Sequence, residues 1–137
     1  MEVALMADHA ALMILIAGPY RSGTGDDPAK IAANVHLMES YVLPLFNAGH
    51  LPVLGEWLAL PMVDLAGSKR IGDEIFNAVF HPIAERLVIR CDAVLRVGGP
   101  SAGADQMLEL AKAHGRQCFE RLQDIPNCSE LIDPQEY

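Results

Sequence analysis

Positive charge is scarce in this sequence: 10 Lys and Arg residues stand against 18 Asp and Glu, a formal balance of −8. A surface of that sign repels phosphate backbones and anionic bilayers, which disfavours nucleic acid and membrane as partners and points to a small molecule or another protein. Cysteine is scarce too. Cys91, Cys118 and Cys128 are odd in number, lack CxxC spacing and sit in or beside apolar segments, so they read as reduced thiols of a cytoplasmic protein with no metal site. His36, His50 and His81 have no partner at metal-ligand spacing, and only His81 is placed to face a cleft. The longest apolar stretch, MEVALMADHAALMILIAG, lacks a basic leader and meets Gly18 and Pro19 too soon to cross a bilayer, so neither a signal peptide nor an anchor is expected. Two phosphate-binding signatures are missing as well, because the loop GPYRSGTG is followed by no GK[ST] and does not spell GxGxxG.

What is present is one domain's worth of chain. Of 137 residues, 51% are hydrophobic, and a chain of this length buries roughly two-thirds of its unfolded surface, enough for a core without staples. Residues 13–126 are expected to form that domain, with residues 1–12 a flexible extension and residues 127–137 a tail without pattern. LMILIA (residues 12–17) has the look of a strand buried on both faces. Residues 28–48 read as one long amphipathic helix, with Asp27 as N-cap, Pro28 in the first turn, Pro44 kinking the last turn and Gly49 as the stop. HLPVLG (50–55) is a second strand, and residues 56–72 are hard to read beyond a short helix around 57–60. Residues 73–90 form a helix that Pro82 should bend or split. DAVLRVGG (92–99) is a third strand, 101–114 a helix and 117–120 a fourth strand. Alternating strands and helices predict an α/β fold, a Rossmann-like three-layer sandwich with a mainly parallel sheet of four to five strands.

In such folds ligands lie beyond the carboxyl ends of the strands. Three loops leave the strands there, GPYRSGTG, GEW and GGPSAG, and are expected to line one cleft. In the first, Gly18, Pro19, Tyr20, Arg21 and Ser22 offer close backbone approach, a stacking face with a hydroxyl, and a cation for an anionic group. In the third, Ser101 can cap the following helix while the amides of its first turn face the cleft, with Gly103 beside it. Glu56 and Trp57 follow the second strand at the same edge. They read as a loop acid over a tryptophan that caps the core, ahead of the alternative of an acid and a stacking surface for a ligand. Arg96 must leave a buried strand near this end, to reach a phosphate or an acid of a partner subunit.

An opening strand ending AGPYR, a GH-P-V turn, a CD-VL strand and a PSxGA loop leading into a helix that ends near HGR resemble the nucleoside 2-deoxyribosyltransferase-like family and its small relatives, over roughly residues 13–126. The resemblance implies a nucleoside or nucleotide ligand, cleavage or exchange of the N-glycosidic bond by a glutamate nucleophile with an aspartate helper, no cofactor, and a homodimer or larger assembly. High apolar content with few charges also suggests surface buried beyond the chain's own core.

The acids that the resemblance calls for are absent. The nucleophile's position, four residues after Gly103, is Met107, and the helper's, eight before Asp92, is Ala84. Attack on an anomeric carbon needs an ionised carboxylate and departure of the base needs a proton donor. Asp105 and Glu109 flank Met107, but two residues along a helix turn a side chain roughly 160–200° away, and they read with Lys112 and Arg116 as a solvated stripe. Glu85, next to Ala84, is a further candidate. The expectation is therefore a nucleoside- or nucleotide-binding protein without the family's chemistry. One alternative is a hydrolase or transferase with a relocated acid such as Glu56, and another is a structural or interaction protein.

Overall fold

A computed structural model describes residues 11–136; the expected extension lies almost wholly outside them. Four strands, β1 (Met13–Ala17), β2 (Leu51–Leu54), β3 (Ala93–Arg96) and β4 (Gln117–Phe119), form one sheet in the order β2-β1-β3-β4, and every pairing is parallel. Successive side chains of a strand point to opposite faces, and β1 shows it cleanly. Ile14 and Ile16 enter one core with Met38, Tyr41, Leu45 and Leu95, while Leu15 and Ala17 enter another with Leu87, Val94, Met107 and Ala111. Covered on both faces, the sheet is the middle of a three-layer α/β sandwich.

The helices are α1 (Pro28–Glu39), α2 (Val42–Asn47), α3 (Gly55–Leu65), α4 (Glu74–Val88) and α5 (Ala102–Ala113). Asp27 caps α1 by accepting from the Ala29 amide, with Pro28 in the first turn. The single helix expected over residues 28–48 is instead two. A proline ring collides with the carbonyl four residues back, so Pro44 breaks the run at Ser40 and Tyr41 rather than kinking its end. Tyr41, fully buried at the break, donates its hydroxyl to Asp133 at 2.6 Å. Pro82, by contrast, splits nothing, since α4 runs through it.

The illegible region after β2 is a full helix. α3 starts at Gly55 directly from the strand and carries Pro61 inside it, and its buried Ala59 and Val63 pack with Phe76 and Phe80 of α4 as a third apolar cluster. Asp73 then caps α4, accepting from the Phe76 amide, the Ser68 hydroxyl and the amides of Lys69 and Arg70. These bonds hold its carboxyl below the usual carboxylate range and order the turn from α3 into α4. The C-terminal segment packs onto the α1–α2 face through buried Leu122, Ile125 and Cys128. His50 ties it down: its Nδ1 accepts from the Leu12 amide at 3.1 Å, and its Nε2 lies 2.8 Å from the Pro126 carbonyl.

Candidate functional site

At the carboxyl end of the sheet the loops after β1 and β3 and the start of α3 surround a cavity of about 210 Å³. Its floor is the end of β1, Leu15 to Ala17, with Gly18. One wall is α5, through Ser101, Gly103, Ala104 and Met107; the other is α3 and α4, through Gly55, Glu56, Phe76, Phe80, His81 and Ala84; Tyr20, Arg21 and Ser22 complete it. Gly18 permits this convergence, because a Cβ there would lie 3.0 Å from the Val97 carbonyl and 3.1 Å from Met38. Ser101, buried, caps α5 by accepting from the Ala104 amide, which fixes the helix start at the cavity edge.

The aromatic wall is a ladder. Phe76 and Phe80, one helical turn apart on α4, stack with centroids 4.8 Å apart, and the Tyr20 ring continues them at 5.1 Å from Phe80. His81 stands edge-on to Phe80 at the exposed mouth. Tyr20 is held by a bond from the Asn34 amide to its carbonyl, and its phenol is raised above its ordinary range by burial, then by the nearby Glu56, with Arg21 acting the other way.

Two charged groups reach the cavity with different surroundings. Arg21 is bound bidentately by Asp26, Nε to Oδ1 at 2.8 Å and Nη2 to Oδ2 at 2.9 Å, and its guanidinium lies 5.7 Å from the centre of the Phe76 ring. It also passes over Gly72, where a Cβ would meet Nη2 at 2.7 Å and the backbone has φ +83°, so both space and conformation call for glycine. Glu56 has no ion-pair or side-chain hydrogen-bond partner among the described residues. It lies in the first turn of α3, largely buried, and burial pushes its carboxyl up to about 7, with its own amide acting in the opposite direction.

Gly18, Tyr20, Arg21, Ser22, Glu56, Ser101, Gly103 and Met107 thus converge as the sequence predicts, and His81 joins them. Ala84 and Met107, the positions where acids are missing, both line the cavity. Pro19 does not line it; its ring packs against Gly98, where a Cβ would lie 2.6 Å away. Trp57 neither covers the core nor stacks in the cleft, because helix geometry turns it outward from Glu56, leaving it 42% exposed with its indole N–H donating to Glu39 at 3.3 Å. Glu56 is a helix residue, not a loop acid. Arg96 reaches no open site: it binds Asp105 at 2.9 Å and donates to the carbonyls of Val97 and Gly99. Glu85 is exposed and off the cavity, and Glu109 pairs with Lys112 at 3.4 Å on the outer face of α5.

Sequence reasoning missed Phe76, Phe80, Gly72 and Asp26. The two phenylalanines are four apart in IFNAVF, a signal for one helix face, but nothing local shows that the face meets Tyr20. All three cysteines are free, no group of metal-ligating side chains occurs among the described residues, and no helix among them is long and apolar enough to cross a membrane. No protein-family profile matches the chain, and no curated protein matches it.

Proposed function

We propose that this protein binds a nucleoside or nucleotide in the cavity between α4 and α5, without the glycosidic chemistry that the resemblance would imply. One observation carries the reading. Ala84 and Met107, where the resemblance would have acids, open onto the same cavity as Tyr20 and Phe80, which supports binding there without those acids. The aromatic wall suits a planar base, and an unbranched thioether packs against a base or sugar without attacking it. Purified protein is tested against nucleosides and their 5′-monophosphates, with thermal shift and release of free base followed together. A shift without release is expected; release would overturn the lost-chemistry reading.

A second reading is favoured by Glu56, an acid in the same cavity with no side-chain partner among the described residues, whose carboxyl is pushed by burial up to about 7. A neutral carboxyl near pH 7 is matched to general-acid work. It would protonate the departing base as the C1′–N bond breaks, and the carboxylate would recover a proton from the water that adds to C1′. Base release abolished by Glu56→Gln and unchanged by Met107→Leu would establish this reading.

A cytoplasmic homodimer completes the proposal. Leu43, Phe46, Leu51, Trp57, Leu58, Met62 and Leu65, all between 41 and 87% exposed, come from the continuous segment α2–β2–α3 at the β2 edge of the sheet. Burying such a group against a second copy removes a large apolar surface from water. A monomeric mass by light scattering at micromolar concentration would overturn this part.

A further inference from the structure

We propose that Asp26 is a specificity-determining residue: by occupying the guanidinium of Arg21 it makes the cavity select an uncharged ligand over its phosphorylated form. The inference rests on the nucleoside reading and names the member of that class the site accepts. Among the described residues, Arg21 is the only lysine or arginine lining the cavity. It is the fixed side-chain charge that would draw a phosphate into the cavity, and its Nε and Nη2 are both directed at Asp26.

Asp26 is held in place by more than this pair. Its backbone sits at φ +60°, in the left-handed region that aspartate, asparagine and glycine adopt more readily than other residues. The Thr24 hydroxyl, buried in the loop, accepts from the Asp26 amide and donates to the Arg21 carbonyl, so one side chain links the backbones on both sides of the ion pair. The guanidinium is fixed from its other side by Gly72 and the Phe76 ring. A phosphate entering the cavity would therefore meet Arg21 with the Asp26 carboxylate still in contact with it. The other acids close to this region, Glu56 across Tyr20 and Asp73 at the start of α4, add no positive charge, and an ion pair that is already formed leaves little net field for a second anion. A neutral nucleoside meets no such opposition and keeps the aromatic wall.

The test uses the full chain and two variants that keep the left-handed backbone, Asp26→Asn and Asp26→Gly, since asparagine and glycine both populate that region. Calorimetry with a nucleoside and its 5′-monophosphate should give the wild type a preference for the nucleoside. Either variant should bind the monophosphate about tenfold more tightly than wild type, with nucleoside affinity unchanged within about twofold. Removing the cation too, by Arg21→Gln in the Asp26→Asn background, should abolish the gain. A wild type that binds the monophosphate as tightly as the nucleoside, or variants that leave the ratio unchanged, would overturn the proposal. Inorganic phosphate titrated against the Arg21 Nε–H resonance separates it from the nucleoside reading. The resonance should move in Asp26→Asn and stay still in wild type whether or not any nucleoside binds. Movement of equal size in both proteins refutes the role of Asp26, whereas absence of nucleoside binding refutes only the reading of the ligand.

Discussion

Two arginines stand at the carboxyl edge of the sheet, each with an aspartate a few residues on, and they do different things. Arg96, its side chain 11% exposed, is tied to Asp105 and to two carbonyls of its own loop, so it closes the turn between β3 and α5. Arg21, 37% exposed, has one partner and an open cavity beside it. A guanidinium with five donors becomes a structural part when the backbone supplies acceptors around it, whereas one held by a single exposed carboxylate stays at the cavity edge with its charge offset by that partner. The same contrast separates Asp73, which accepts four hydrogen bonds, from Glu56, whose carboxyl has no ion-pair or side-chain hydrogen-bond partner among the described residues. Arg96 and Asp73 are satisfied by the turns they close; around the cavity Arg21 has only the exposed Asp26 and Glu56 has no such partner among the described residues.

The largest expected effect comes from adding a charge to the unsatisfied side. Met107 is 5% exposed and packs in the Leu15 and Leu87 core, so Met107→Glu should lower stability in urea by at least about 3 kcal/mol at pH 8, contrary to the tolerance that a solvent-bordering position would give. Removing the charge already there acts the other way. Because the Glu56 carboxyl is at about 7 when folded and at 4.5 in its ordinary state, the folded protein holds the proton more tightly. Stability attributable to this group is then constant below pH 4.5, falls as pH rises through 7, and levels off above. Glu56→Gln should be more stable than wild type at pH 8 by up to roughly 3 kcal/mol, with the difference vanishing at pH 4. A denaturation midpoint that does not change with pH in the same way would remove Glu56 from the cavity's acid–base chemistry.

On the satisfied side, Arg96→Met leaves the Gly99 and Val97 carbonyls without their donor and should cost about 2 kcal/mol, a fall in Tm of roughly 6 °C by calorimetry. Asp105→Asn removes only the outer partner, 66% exposed at its side chain, and should cost about 1 kcal/mol or less. The smallest effect is expected at the matching position beside the cavity. Asp26→Asn should leave the unfolding midpoint within error, because that pair is open to water on both sides. A Tm loss at Asp26 as large as at Arg96 would mean that the two arginines are both structural and that the comparison fails.

Periodicity and punctuation along the chain were enough for the parallel α/β sandwich, the four strands, the Asp27 and Ser101 caps and the meeting of the β1 and β3 loops at one edge, because each depends on residues a few positions apart: an apolar run, a capping oxygen, a proline or glycine at a terminus; the expected GEW loop is instead the start of α3. The same local rules misplaced the break near Pro44, since the collision falls four residues before the ring, and left α3 unread, since Gly55 and Pro61 look like interruptions until α4 packs against the helix they belong to. Which charges are free was not written locally at all. Arg21 and Arg96, Glu56 and Asp73 are ordinary ionisable residues in sequence. Only the folded chain brings the Val97 and Gly99 carbonyls to Arg96, a turn of amides to Asp73, and an aromatic and aliphatic wall to Glu56, and a side chain's charge is set by the dipoles and the water that the tertiary structure leaves within a few ångströms of it.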